Sequence, residues 1–129
     1  MKRVLIVLGM AALVAVSALA GSPTATADDA CGEEGQPACP LQGWMEQNMQ
    51  TAFEKQDLKG LAVALEKASK FAPDKKWNDG PTGWAKIAND AAAAAKAGDF
   101  KAVRESCKTC HKAWRKQYRE QFRKQPVPK

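Results

Sequence analysis

From residue 40 onward apolar residues recur at intervals of three and four, and no stretch alternates apolar with polar, so the pattern predicts helices and no strands. Leu41, Trp44, Met45, Met49, Ala52 and Phe53 make the first stripe, with Pro40 suited to a first helical position, giving a helix over about residues 40–55. Asp57 is a good N-cap for a second helix whose stripe runs through Leu58, Leu61, Ala62, Leu65, Ala68 and Ala72 until Pro73 stops it. The segment PDKKWNDGP reads as a loop. Thr82 is placed to cap a third helix through Trp84, Ile87, Ala88, Ala91 and Ala95, with Gly98 at its C-terminal end. Asp99 then caps a fourth, in which Phe100, Val103, Cys107, Cys110, Trp114, Tyr118 and Phe122 carry the stripe toward Gln125, before Pro126. Four amphipathic helices with short links predict an all-α, antiparallel four-helix bundle over residues 40–125, with 126–129 as a tail. The alanine run DAAAAAKAGD reads as close helix packing, since alanine is the best helix former and leaves room for a neighbour.

The beginning of the chain follows a different pattern. Lys2 and Arg3 precede a continuous apolar run from Val4 to Val16, and small residues follow. That is the layout of a secretory signal peptide over residues 1–27, with cleavage expected after Ala20 or Ala27. The run is shorter than the ~20 residues that span a bilayer; a retained anchor is the alternative to cleavage, and no membrane span is expected after processing. The expected location is therefore the periplasm or another exported compartment.

Export changes how the four cysteines are read, because thiols in an oxidising compartment are usually bridged or otherwise covalently used. Cys31 and Cys39 enclose seven turn-forming residues in ACGEEGQPACP, and a local disulfide is expected within the segment 28–39. Cys107 and Cys110 stand instead in ESCKTCHKAWRK, directly before His111, the only histidine of the chain. Cys-x-x-Cys-His is the attachment sequence of c-type haem. Residues three apart share a helix face, so both thiols can form thioethers with one porphyrin, and the adjacent imidazole can take the iron. Chance would produce the motif in roughly one sequence per thousand of this composition. A four-thiolate zinc site from Cys31, Cys39, Cys107 and Cys110 is the chemical rival, with a Cys107 to Cys110 disulfide or redox dithiol as a further one, and each would leave His111 without a role.

A C-terminal Cys-x-x-Cys-His at the end of four helices, followed by Trp114 and Arg115 as in CKTCHKAWRK, resembles the class II cytochromes c. These comprise the high-spin cytochromes c prime and their low-spin, methionine-ligated relatives. The resemblance covers about residues 40–116; the long fourth helix and the cysteine-bearing N-terminal segment depart from it. It implies one covalent haem c, with Cys107 and Cys110 as thioethers, His111 as proximal iron ligand and Arg115 near the haem edge. It also implies that helix one meets the distal face, where Met45 is the expected sixth ligand and Met49, one turn deeper, the alternative. A thioether there would favour ferrous iron and raise the potential, which suits electron transfer. A vacant sixth position would instead suit binding of nitric oxide or carbon monoxide. The family admits a homodimer.

Charge bears on partners. The chain carries 20 Lys and Arg against 14 Asp and Glu, a formal net of +6. From Lys112 to Lys129 the basic residues are Lys112, Arg115, Lys116, Arg119, Arg123, Lys124 and Lys129, against Glu120 alone. A basic surface beside the haem would steer docking onto an acidic redox partner; a solvated helix end accounts for the same charges without one. Nothing in the sequence resembles a nucleic-acid-binding motif. No Ser-His-Asp set or phosphate-binding glycine loop is present, so an enzyme is not expected.

Overall fold

A computed structural model describes residues 31–129, and the expected signal peptide lies outside the described residues. The described chain contains helices and no strand. Helix α1 covers residues 40–54 as three continuous pieces: Pro40–Met45, a π-helical stretch Glu46–Gln50, and Thr51–Glu54. Helix α2 is Leu58–Ala68, a 3-10 turn follows at Lys75–Asn78, and α3 is Trp84–Lys96. Helix α4 covers residues 100–121, again continuous, with a π-helical stretch His111–Arg115 between Phe100–Cys110 and Lys116–Gln121. No described helix is long and apolar enough to cross a membrane.

Two helix starts follow directly from the sequence. The Asp57 carboxylate accepts from the Gly60 amide at 3.0 Å and Asp99 accepts from Ala102 at 2.9 Å, each satisfying an otherwise unpaired helical N–H. Gly98 ends α3 with φ +82°, a left-handed conformation that glycine adopts without a steric penalty.

Elsewhere the chain departs from its local pattern. Helix α2 stops at Ala68 rather than continuing to Ala72; its end closes in tighter i to i+3 turns, with the Lys70 amide donating to the Lys67 carbonyl at 3.1 Å and the Phe71 amide to the Ala68 carbonyl at 3.0 Å, and Phe71 turns inward. Phe71 is buried and meets the Trp44 ring edge-on at 4.8 Å. Gly83, not Thr82, is the N-cap of α3, and Asn78 across the turn accepts from the Ala85 amide at 3.0 Å. Helix α4 ends at Gln121, four residues short of the expected Gln125, where Phe122 leaves helical geometry with φ −130°.

Packing is sequential: α1 lies against α2, α2 against α3, and α3 against α4. One core cluster centres on Leu61, Leu65, Ala91, Ala92, Ala95 and Val103, with Phe53 of α1 against Phe100 of α4 at 5.0 Å. Its alanines let α3 sit close to both neighbours, as the alanine run predicts. Leu61 and Val103 are almost wholly buried, each such side chain contributing about 1.5–3 kcal/mol relative to exposure. The second cluster holds Leu41, Ala68, Phe71, Trp77 and Trp84, with Trp44, Met45, Trp114 and Tyr118 packed against it. Helices α1 and α4 meet at Phe53 and Phe100, and a cleft lined by residues of both opens elsewhere between them.

Candidate haem cleft

The cleft encloses about 550 Å³, within the ~300–1,000 Å³ usual for cofactor and ligand sites. Leu41, Gln42, Met45, Glu46 and Gln50 of α1 form one wall. Cys110, His111, Trp114, Arg115, Tyr118 and Arg119 of α4 form the other. Trp84 of α3 also lines it, and Cys31, Gly32, Glu33 and Cys39 border it from the N-terminal loop.

The aromatic side of the cleft is held from behind. Trp77 is 5% exposed, although it lies in a segment that reads as a polar loop. It stacks on Trp114 with centroids 4.6 Å apart and an interplanar angle of 19°. It also meets Phe122 edge-on at 5.4 Å. Asp74 makes this possible by capping the 3-10 turn, accepting from the Lys76 amide at 2.9 Å. Trp84 Nε1 donates to the Ala68 carbonyl at 2.8 Å, and Trp114 Nε1 donates to the Thr82 carbonyl at 2.9 Å. Both indoles are thus fixed in position with their polar atoms satisfied.

The motif residues divide between cleft and core. Cys110 and His111 line the cleft, whereas Cys107, one turn earlier, packs beside the first core cluster. Both thiols are reduced and partly buried. Burial raises the Cys107 pKa and takes that of Cys110 to about 11, with the nearby Cys107 charge adding to the rise. His111 keeps much of its surface in solvent, but the packing on its inner side, then the Arg115 charge, lowers its pKa. The imidazole is therefore neutral near pH 7 and has a lone pair to offer.

The structure separates the two methionines. Met45 lines the cleft, while Met49 packs between the two core clusters and does not line it. Met45 is the last residue before the π stretch of α1, and His111 is the first of the π stretch in α4. Such wide turns recur at functional sites because they re-aim the side chains around them. Helical periodicity places both methionines on one face and gives no sign of either π stretch.

Cys31 and Cys39 are joined by a disulfide. Two of the four thiols required for a zinc shell are therefore consumed, and among the described residues no group of three or more His, Cys, Asp or Glu is placed to hold an ion. The cleft offers a different donor set: a neutral imidazole, a thioether on the facing helix, and a thiol with a second one turn away. An aromatic floor and arginines at the rim complete it. Those groups fit a covalently held porphyrin. Arg115 borders the cleft. Comparisons with protein-family models, with curated proteins and with solved structures return no match.

Proposed function

We propose that the protein is an exported monohaem c-type cytochrome of the class II kind, an antiparallel four-helix bundle that carries electrons to or from an acidic redox partner. The observation that carries this reading is the cleft shared by Met45, Cys110 and His111, between the first helix and the last. When bound, haem supplies a one-electron iron couple. Cys107 and Cys110 would hold it through thioethers, and the neutral His111 imidazole would offer a nitrogen to its iron. Met45, on the facing helix, would offer a thioether, whose softness would favour ferrous iron. Leu41, Trp84 and the fixed Trp114 exclude water from the ring, which lowers the cost of moving charge by limiting solvent reorganisation. Arg115 offers a positive charge to the propionate edge. Met49 fills the core. The short Ala97 to Asp99 link between packed helices α3 and α4 is what an antiparallel bundle requires.

The test is the visible absorption of protein matured with a c-type haem attachment system, oxidised and reduced, with and without carbon monoxide. The expected result is sharp low-spin bands on reduction, a far-red sulfur-to-iron band on oxidation, and no response to the gas. High-spin bands that shift with carbon monoxide would mean a vacant sixth position and make gas binding the function. Protein with stoichiometric zinc and no visible absorption would overturn both.

A further inference from the structure

The disulfide loop, residues 31–39, is not required by the attachment motif, yet it borders the same cleft. Its two half-cystines are only 8% and 7% exposed, so the bridge is packed inward although it lies near the start of the described chain. Gly32, with φ +78°, fits closely against α1: a Cβ there would come within 2.9 Å of Gln42 Oε1 and 3.1 Å of Cys39 Sγ. From the same loop Glu33 pairs with Arg123, just past the end of α4, at 3.1 Å. The loop thus touches α1 through Gln42 and the end of α4 through Arg123, across the gap between those helices.

Magnitudes indicate which contact keeps it there. A partly exposed ion pair such as Glu33 with Arg123 contributes ~0–1 kcal/mol and cannot alone hold a loop shut. The bridge closes a short loop covalently, with a sequence separation of 8, and removes the extended conformations in which the cleft end would be uncovered. The ion pair then selects the side on which the closed loop lies.

We propose that this loop is part of the haem pocket, an end wall that restricts entry of external ligands to the distal side, with the disulfide setting its persistence and Glu33 its placement. The inference rests on the haem reading above and adds binding-site residues outside the Cys-x-x-Cys-His motif. The wall acts by population. If the pocket is open to an external ligand for only a tenth of the time, apparent affinity falls about tenfold, and removing the wall restores it.

The test compares the full chain, matured with haem, with Glu33→Gln and with the double variant Cys31→Ser/Cys39→Ser. Imidazole is titrated as an external iron ligand by visible absorption, and each variant is melted by circular dichroism. The expected result is imidazole binding about tenfold tighter in the double variant and by a smaller factor in Glu33→Gln, which keeps its disulfide and serves as the folded reference. A lower melting temperature with unchanged imidazole affinity in both would overturn the proposal, leaving the loop a stability device. Should the protein take up no haem, the reading beneath it has failed. Acrylamide quenching of the cleft tryptophans Trp84 and Trp114 in the same variants then tests the wall directly: increased quenching supports it, and unchanged quenching overturns it.

Discussion

Met45 of α1 and His111 of α4 line one cleft, from the first and the last helix of the described chain. Met49, one turn further along the stripe of α1, does not line it and packs against the two core clusters instead. The arrangement gives the two methionines opposite expected phenotypes. Met45→Ala should open the haem to carbon monoxide with little change in melting temperature. Met49→Ala should leave the spectrum unresponsive to the gas and cost about 2 kcal/mol, the low end for a methionine truncated in a core. Carbon monoxide titration paired with thermal denaturation separates them, and the reverse pattern would assign the sulfur to Met49.

Attachment should depend on both thiols. Cys107→Ala or Cys110→Ala is expected to leave at most one thioether, and the double replacement none. A haem stain after denaturing electrophoresis, with the pyridine spectrum of the alkaline protein, counts the remaining bonds. Full covalent haem in the double variant would exclude the thioether reading.

Trp77 should matter more for stability than its loop position suggests. It stacks on Trp114 and is 5% exposed, so Trp77→Ala should cost about 3–5 kcal/mol in denaturant unfolding. The same change should loosen the aromatic side of the cleft, seen as a lower Trp114 contribution to near-ultraviolet circular dichroism. A cost below about 1 kcal/mol would mean that the stacking is not maintained in solution.

Tyr118 is the only tyrosine of the chain, so its phenolate absorption can be followed without interference from another. Burial beside the cleft raises its pKa above the ordinary 10.0. The midpoint at 295 nm should therefore lie above that value in the folded protein and return to it in denaturant. The sign for stability follows: the folded state holds the phenolic proton longer than the unfolded one. Its contribution is complete below pH 10 and is lost as pH rises through the folded midpoint. A midpoint at or below 10 would show that the ring is hydrated.

Helix α4 shows both the reach and the limit of local pattern. Its start at Asp99, its apolar stripe and the chemistry of Cys107, Cys110 and His111 are properties of side-chain type and spacing, so they are legible in the chain. Its π stretch and its end at Gln121 are not. Both depend on how the last turns meet Trp77 and on where Phe122 finds burial, and neither is encoded within a helical turn. The same holds for Thr82. It is chemically suited to cap α3, but Gly83 takes that position and the Thr82 carbonyl receives the Trp114 indole instead.

The sequence by itself determined the helical class, two of the helix caps and a compact Cys-x-x-Cys-His motif, because periodicity, capping chemistry and a five-residue motif are local. Only the tertiary structure decided that Trp77 is a core residue, that Met45 rather than Met49 faces the cleft, and that the Cys31 to Cys39 loop borders it. Those outcomes depend on which surfaces distant segments bury together. A 3.6-residue repeat places a side chain on a face of its helix without specifying what that face will meet.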